Sequence, residues 1–410
     1  VEGAVATASG EVLDTYIQDS VGLVLARVRL PAAGIDDILQ LDQLARVDGV
    51  PELPESRAEA SRASLDQLPT LEGPDEDAPL VGLIDSGVRS SHPLIAAALA
   101  DATTLAAGIP DGEDAHGHGT RVAGLLLHGP LEDVLERSVL PRPLARLLSV
   151  RVLGADNRFP EEAVWEHEIE RGVRYCADQG ARVINICIGD RETRYRGAHS
   201  TPVAALLDHL ARSLDLVIVV PTGNVPPAAY ASQDETIIDG YAIELLESQE
   251  TSMLDPAPAA IVLTVGATCP DGLAHSSSRR PTATRRAIGS DGWPAPFSRR
   301  GPGIDQSIKP ELSAPGGSMA WDLEMRMVVD DAALGCLSTS GSPPERLLDV
   351  DIGTSYAAPL VARVATAVLN RYPNMSANQV RALVLQACAH PPFASALETG
   401  GPKDRREAVE

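Results

Sequence analysis

The chain has 410 residues, of which 44% are hydrophobic but only 3% aromatic, so aliphatic side chains must fill a large core. Its 57 acidic residues outnumber its 34 lysines and arginines, and the formal net charge of −23 argues against nucleic acid and anionic membranes as partners. The sequence also contains no apolar stretch of the ~20 residues that a bilayer-spanning helix requires.

The first part of the chain has the pattern of a small α/β unit. We predict a strand over 21–31, an amphipathic helix over 32–45 and a short strand over 45–50. One face of this helix is apolar and consists of Ile35, Ile38, Leu39 and Leu41. Residues 1–50 are therefore expected to form a unit of their own, and residues 51–79, which are rich in Pro, Glu, Asp and Ser, a solvated linker.

From Leu80 onward, short apolar runs alternate with helix-like stretches. The runs share boundaries of Gly, Asp or Pro, and they span 80–85, 147–153, 181–188, 215–221 and 259–267. Short, continuous apolar runs are typical of strands that are buried on both faces of a parallel sheet. Helix patterns over 160–180 and 201–214 lie between them. The alternating order predicts a parallel sheet with helices on both faces.

Two segments of the domain, which we predict to span 80–390, do not follow this alternation. Residues 225–258 and 316–350 are polar, acidic or rich in Gly, Ser and Pro. We interpret both as insertions or long surface loops.

The end of the domain has two helix patterns. The first spans 353–372 and is long and apolar, and the second spans 376–388. Ser376 and Gln379 have the spacing of a capping box, in which each side chain bonds the other residue's backbone N–H at the helix start. Residues 391–410 have the composition of an exposed tail.

The stretch DAHGHGTRVAG (114–124) contains two histidines, His116 and His118, separated by one glycine. On a strand they would share a face and could bind one metal ion, but the glycines and the following apolar run predict a loop that leads into a helix. Three nearby acidic residues could attract a cation or form a solvated loop: Asp111, Glu113 and Asp114. No neighbouring Cys, His or Glu completes a metal site. From spacing alone, His118 is either a catalytic base or a structural histidine.

Three other polar residues lie at the ends of predicted elements. Asp85 ends the first strand, Asn224 follows the fourth, and Ser355 opens the helix predicted over 353–372. Reactive groups gather at the carboxyl ends of parallel strands, and a helix start offers free N–H groups to an oxyanion. Pro359 is tolerated only near a helix start, which supports that placement. The alternative for each of the three residues is a purely structural role, as a turn residue or a helix cap.

Four sequence blocks occur in order: LIDSGV, HGHGTRVAG, VVPTGN and GTSYAAP. They resemble the Asp, His, Asn and Ser blocks of the subtilisin-like serine proteases, peptidase S8. The resemblance implies a three-layer α/β fold with a mostly parallel central sheet, and an endopeptidase that acts through an acyl-enzyme. It implies that Ser355 is the nucleophile and His118 the base. Asp85 would orient His118, and the Asn224 side chain with the Ser355 N–H would form the oxyanion hole.

The resemblance also places an extended substrate between two edge segments of the domain. The residues of these segments are Leu153, Gly154 and Ala155, and Cys187, Ile188 and Gly189. Val225 would form the base of the first side-chain pocket. The sequence departs from the family pattern in three places: Tyr356 stands where Met is usual, Arg121 stands where His is usual, and PTGN (221–224) replaces the commoner AAGN. None of these departures removes a catalytic group, and the implied chemistry requires no metal or other cofactor. A structural calcium ion cannot be read from the sequence.

Other interpretations of the site remain open at this stage. The sedolisins share a similar serine motif but use Glu and Asp in place of the His base and the oxyanion Asn, so His118 and Asn224 argue against that branch. A latent or scaffold protein that needs a partner would keep the same fold. The expected ligand is a protein or peptide substrate. Residues 1–50 resemble a propeptide, which predicts self-inhibition.

The resemblance and the cysteines together bear on localisation. Five scattered cysteines without a CxxC pair argue for a reducing compartment, and no signal peptide is visible. We expect a cytoplasmic, bacterial protein. Some intracellular bacterial relatives act beside an ATPase in defence against phage, and the sequence is compatible with a regulatory ATPase of that kind.

Overall fold

The computed structural model describes residues 2–18, 23–41, 44, 71–132, 140–160, 164–190, 194–197, 199–270, 285–331 and 334–389. The chain divides into two compact units. The first consists of Val1–Pro51 with Arg280–Thr282, and the second of Glu52–Arg279 with Ala283–Glu410.

The first unit is a small α/β unit with one hairpin. Its elements in chain order are helix α1 (Glu2–Thr7), strands β1 (Glu11–Gln18) and β2 (Leu23–Arg29), and helix α2 (Ala32–Leu39). β1 and β2 pair antiparallel. The strand predicted over 21–31 corresponds to β2, whereas β1 is not predicted. The helix predicted over 32–45 corresponds to α2, which ends earlier, at Leu39. The strand predicted over 45–50 lies outside the described residues.

The apolar stripe predicted for α2 is wrong in part. Ile38 is buried with Val5 and Ala8, but Ile35 is 42% exposed and Leu39 is 53% exposed. The helix instead approaches its neighbour at Gly34, where an added Cβ would lie 2.6 Å from the Ala8 carbonyl oxygen. Glycine has no side chain, so a buried face that is formed by a glycine cannot be recognised from apolar residues in the sequence.

A seven-stranded sheet forms the centre of the second unit. In chain order its strands are β3 (Leu80–Asp85), β4 (Leu99–Thr104), β5 (Arg146–Arg151), β6 (Val183–Ile186), β7 (Val217–Pro221), β8 (Leu263–Thr268) and β10 (Leu312–Pro315). They lie in the order β10-β8-β7-β6-β3-β5-β4, and every pairing is parallel. The predicted parallel α/β fold is confirmed.

Helices cover both faces of this sheet. They are α3 (Pro93–Ala96), α4 (His118–His128), α5 (Trp165–Asp178), α6 (Pro202–Ser213), α7 (Ile237–Glu247), α8 (Thr354–Arg371) and α9 (Ala377–Gln386). On β3, Val81 and Leu83 belong to a core shared with α4 and α8. Ile84 belongs to the core on the other face, shared with α5 and α6. Because the central strands are buried on both faces, their sequences are continuous apolar runs.

The sequence prediction missed the two edge strands of the sheet. β4 has the sequence LADATT, and two of its residues are exposed. β10 has only four residues and ends in Pro315. An edge strand pairs on one side only, so it tolerates polar residues and proline and does not have the apolar run of a central strand.

The segment predicted as a loop over 225–258 is packed against the core. It contains α7, and its buried side chains include Tyr230, Tyr241 and Met253. The prediction of a long surface loop is therefore wrong for this segment, because a few large anchors among polar residues suffice to bury it.

The segment predicted as a loop over 316–350 forms strands. The strands are β11 (Met319–Asp322), β12 (Met327–Asp330), β13 (Cys336–Thr339) and β14 (Leu348–Asp351), and β9 (Arg285–Ala287) joins β11 and β12 in a small sheet. β13 and β14 form a separate hairpin. Trp321 and Leu337 are buried, so the prediction of a surface loop is wrong here too.

Three predicted features at the edges of the domain have different outcomes. The capping box of α9 is present, with Ser376 N donating to Gln379 Oε1 at 2.9 Å. Residues 71–79 lack regular structure but include Ala78, which is 3% exposed, so the described part of the predicted linker is not fully solvated. The remaining linker residues, 51–70, and the predicted tail lie outside the described residues. Within the ranges given above, no helix is long and apolar enough to cross a membrane.

Candidate active site

Asp85 and His118 are joined by a hydrogen bond at the carboxyl end of the sheet. Asp85 is the last residue of β3 and is 1% exposed, while His118 is the first residue of α4. The distance from His118 Nδ1 to Asp85 Oδ1 is 2.8 Å. Asp85 Oδ1 also accepts from Ser86 N at 2.7 Å. Among the described residues, buried Asp85 Oδ2 has no hydrogen-bond partner, so this carboxylate favours a positive charge on the neighbouring imidazole.

The loop that leads to His118 is organised around Asp114. This carboxylate is fully buried and accepts from Ser86 Oγ at 3.0 Å, Gly117 N at 2.8 Å and Thr120 N at 2.9 Å. The alternative of a solvated acidic loop is therefore wrong for Asp114. Nor does the described part of the chain contain a group of three or more His, Cys, Asp or Glu that could hold a metal ion. Asp114 fixes the backbone that presents His118.

The contact between α4 and the loop after β3 requires a glycine. A Cβ added to Gly119 would lie 2.1 Å from the carbonyl oxygen of Gly87 and 3.3 Å from Asp85 Cβ. No side chain fits at that distance, so the glycine directly after His118 permits the close approach of helix and loop. The second glycine of the motif HGHGT thus allows the short distance between His118 and Asp85.

The electrostatic surroundings of His118 act in opposite directions. Burial disfavours the charged imidazole and lowers the pKa of His118, but Asp85 raises it through its charge and its hydrogen bond. The charge of Asp114 acts in the same direction as Asp85, and that of Arg121 lowers the pKa again. The net result is a pKa of His118 above its ordinary value.

Ser355 lies in the first turn of α8, and Asn224 is fixed beside it. Asn224 Oδ1 accepts from Thr354 N at 2.9 Å and from Thr354 Oγ1 at 3.0 Å. Both bonds use the oxygen of the amide, which leaves its Nδ2 group to donate elsewhere. Gly353 precedes the helix with φ 149°, and a Cβ there would lie 3.0 Å from Asn224 Nδ2. The N–H of Ser355 belongs to the first helical turn, whose donors have no partner within the helix.

The two segments expected to hold a substrate lie beside the histidine loop and the serine. His116 Nε2 lies 2.8 Å from the Ala155 carbonyl oxygen, which connects the segment of Leu153, Gly154 and Ala155 to that loop. Cys187 Sγ lies 3.4 Å from the Ser355 carbonyl oxygen, and it accepts from Asn185 Nδ2 at 3.1 Å.

Exposure differs along these two segments. Ala155 and Gly189 are exposed, Gly154 and Ile188 are half-buried, and Leu153 and Cys187 are buried. Backbone at the exposed positions is accessible to an extended peptide, whereas Leu153 and Cys187 face the protein interior.

Val225, which is expected at the base of the first side-chain pocket, is buried. Its side chain is 1% exposed and belongs to the core that contains Phe297, whose carbonyl oxygen accepts from Val225 N at 2.7 Å. Its role in a substrate pocket stays a prediction. The position of a motif along the chain does not give the direction of its side chains.

Two contacts at this site have no counterpart in the sequence prediction. His116 reaches the Ala155 carbonyl oxygen, and Tyr356 lies against His118 with ring centroids 5.9 Å apart. Both involve residues distant in sequence, so only the fold brings them together. A histidine next to the expected base and a tyrosine next to the expected nucleophile were the available signals.

A parallel α/β sheet that carries an Asp–His pair and a serine at a helix start defines a candidate serine hydrolase. The model of the subtilase family, Peptidase S8, matches residues 76–405. The chain therefore belongs to the subtilase family.

The chain is also similar to individual proteins. The chain is 36% identical over 220 residues to the uncharacterized protein y4bN of Sinorhizobium fredii, covering 53% of this chain and 50% of that protein. It is 28% identical over 311 residues to Mycosin-3 of Mycobacterium tuberculosis, covering 73% and 60%. The chain thus spans only about half to three fifths of these relatives' lengths. A solved lanthipeptide protease matches with a TM-score of 0.48 at 19% identity, over 81% of this chain and 88% of that one.

Proposed function

We propose that the protein is a serine endopeptidase that hydrolyses peptide bonds of protein or peptide substrates. The observation that carries the proposal is the 2.8 Å hydrogen bond between His118 Nδ1 and buried Asp85. This bond directs the second ring nitrogen, Nε2, away from Asp85. A neutral imidazole held in this way can accept a proton from a serine hydroxyl.

The proposed reaction has two halves. The Ser355 oxygen attacks the substrate carbonyl carbon while His118 Nε2 takes the hydroxyl proton. The oxyanion of the tetrahedral intermediate accepts from Asn224 Nδ2 and from the Ser355 N–H. His118 then gives its proton to the leaving amine, the C–N bond breaks, and an acyl-enzyme forms. In the second half, a water molecule replaces Ser355 by the same steps, and His118 returns to its neutral form.

Asp85 supports this cycle without itself gaining a proton. Its hydrogen bond selects the tautomer of His118 whose Nε2 is free to accept, and its charge stabilises the imidazolium that forms. Burial strengthens both effects because little solvent screens the carboxylate.

A fluorophosphonate probe tests the proposed function directly. Such a probe phosphonylates a serine only when a neighbouring base activates it. We expect covalent labelling of the full chain at Ser355, identified by mass spectrometry of the labelled peptide. If neither the full chain nor a variant without residues 1–79 is labelled, the latent scaffold is the correct alternative. Labelling of the full chain without added protein would contradict a requirement for an ATPase partner.

The pH dependence of activity should follow the titration of His118. The base must be neutral, and the pKa of His118 is raised by Asp85, so kcat/KM should increase with pH through a midpoint above the usual imidazole value of roughly 6.5. The measurement is kcat/KM on a fluorogenic peptide between about pH 5 and 9. An optimum near pH 4 would instead indicate sedolisin-like chemistry.

We further propose that residues 1–50 act as an inhibitory cap. In the described part of this segment, the buried core consists of Val5, Ala8 and Ile38. A unit of about fifty residues buries little core and is marginally stable alone. This segment also exposes the apolar side chains of Ile35 and Leu39. A unit of this composition gains stability by covering those side chains against a larger protein surface.

A peptide of residues 1–50 tests the cap. Added to the chain that lacks these residues, it should inhibit hydrolysis at micromolar concentration. A matched peptide with Ile35→Asp and Leu39→Asp changes only exposed positions, and it should inhibit far less. If the truncated chain folds like the parent and the unmodified peptide neither binds nor inhibits it, residues 1–50 are a satellite domain.

A more specific proposal is that this endopeptidase acts with an ATPase in defence against phage. Its support is the resemblance of the sequence to intracellular bacterial subtilases. In that case the ATPase would control access to Ser355, and its presence should change the labelling rate of the full chain.

A further inference from the structure

Two residues that depart from the family pattern, Arg121 and Tyr356, contact each other in the fold. Arg121 lies on α4, three residues after His118, and Tyr356 lies on α8, directly after Ser355. Arg121 Nε donates to the Tyr356 hydroxyl at 3.1 Å. The sequence gives no indication of this contact because 234 residues separate the two positions in the chain.

Two carboxylates complete the arrangement. The Tyr356 hydroxyl donates to Asp351 Oδ2 at 2.6 Å. Arg121 lies 3.3 Å from Asp351 Oδ2 through Nη2 and 3.3 Å from Asp349 Oδ2 through Nη1. Both aspartates belong to β14, so one arginine connects the helix of His118, the helix of Ser355 and the hairpin of β13 and β14.

The two helix residues of this arrangement are shielded from solvent more than the carboxylates. Tyr356 is 3% exposed and the side chain of Arg121 is 16% exposed, whereas those of Asp349 and Asp351 are 24% and 42% exposed. The hydrogen bond between Arg121 and Tyr356 is therefore the best shielded contact of the set, and it is screened less than a surface pair. The ring of Tyr356 also packs against the imidazole of His118, at 5.9 Å between centroids.

We propose that Arg121 and Tyr356 are positioning residues that hold the helix of His118 and the helix of Ser355 at a fixed separation. The proposal rests on the proposed function, because it assigns them a part in proton transfer between these two side chains. Displacement of a catalytic group by ~1 Å costs up to about 100-fold in rate.

The pH midpoint of labelling can be measured besides its rate, because it depends on the charges around His118. The titratable groups that face His118 are Asp85 of β3, Asp114 of the preceding loop, Arg121 of α4 and Tyr356 of α8. Burial raises the pKa of Tyr356, which therefore stays neutral. Arg121 is the one cation in this set, and its charge lowers the pKa of His118.

The experiment measures the rate of fluorophosphonate labelling of the full chain as a function of pH. Arg121→Gln should label about 10- to 100-fold more slowly and should move the midpoint of the pH profile upward. Arg121→Lys keeps the charge but not the planar group that bridges two carboxylates, so it should restore the midpoint and leave the rate low.

Tyr356→Phe keeps the ring and removes only the hydroxyl. It should also slow labelling, and the double variant with Arg121→Gln should be no slower than the slower single variant, because both act through one contact. The matched control is Arg346→Gln, which removes an exposed arginine of the same hairpin that pairs with Asp349 at 3.2 Å. This control should label at the parental rate with the parental midpoint.

Three results would overturn the proposal. A parental pH midpoint in Arg121→Gln, or losses that multiply in the double variant, would leave these residues a merely structural role. In both cases the parent is still labelled, so the proposed function stands. A parent that is labelled at no pH, either as the full chain or without residues 1–79, overturns the proposed function and this proposal with it.

Discussion

Replacing Ser355 by alanine should abolish hydrolysis while the protein stays folded. Loss of the nucleophile removes covalent catalysis, and in a serine protease of this kind kcat falls by on the order of 10⁶. Ser355 is half-buried, and α8 has no side-chain cap, so the hydroxyl contributes no cap hydrogen bond to the helix. Hydrolysis of a fluorescently labelled unfolded protein measures the loss, and the thermal midpoint measures folding.

Ser376→Ala is the matched control for this change. Ser376 also stands at a helix start, but its hydroxyl accepts from Gln379 N and completes the cap of α9. Its loss should cost about 1 kcal/mol of unfolding free energy and leave kcat unchanged. The two serines should thus show opposite effects. Half-parental activity in Ser355→Ala would mean that another residue is the nucleophile.

Replacing His118 by alanine should reduce kcat by a similar factor, on the order of 10⁶. Without the imidazole nothing accepts the Ser355 proton, and buried Asp85 loses its 2.8 Å partner. The variant should also fail to react with the fluorophosphonate probe. Because an unpaired buried carboxylate is costly, we expect some loss of thermal stability as well.

His116→Ala separates the two histidines of the motif. His116 is exposed, and its ring Nε2 lies 2.8 Å from the Ala155 carbonyl oxygen. Its loss should loosen the substrate segment and raise KM a few-fold, with little change in kcat. Equal and complete loss of activity in both folded variants would contradict the assignment of His118 alone as the base.

The central part of the fold follows from the sequence because burial determines residue type there. Strands such as β3 and β7 are covered on both faces, so they can contain little except aliphatic residues. The edge strand β4 is partly exposed, and the strand that contains Trp321 is buried but has only four residues, so neither has a long apolar run. Their pairing partners are distant in sequence, and a local pattern carries no information on them.

The candidate site is predictable for a related reason. Asp85 ends a strand, His118 begins a helix directly after Gly117, and Ser355 lies in the first turn of another helix, so local geometry requires particular residue types near each of them. Parallel strands bring their carboxyl ends to one edge, which is why residues from distant blocks converge. The side-chain direction of Val225 depends instead on packing against Phe297, which the position of a motif along the chain does not give.

The sequence by itself determined the central strands of the parallel sheet and the subtilase blocks, and it pointed to Asp85, His118, Asn224 and Ser355 as the candidate site. These features depend on local periodicity and on motifs of a few residues. Only the tertiary structure decided that Arg121 meets Tyr356, that His116 reaches Ala155, and that Ile35 and Leu39 remain exposed. Contacts of that kind depend on how separate elements approach each other, which is set by close packing across the whole unit.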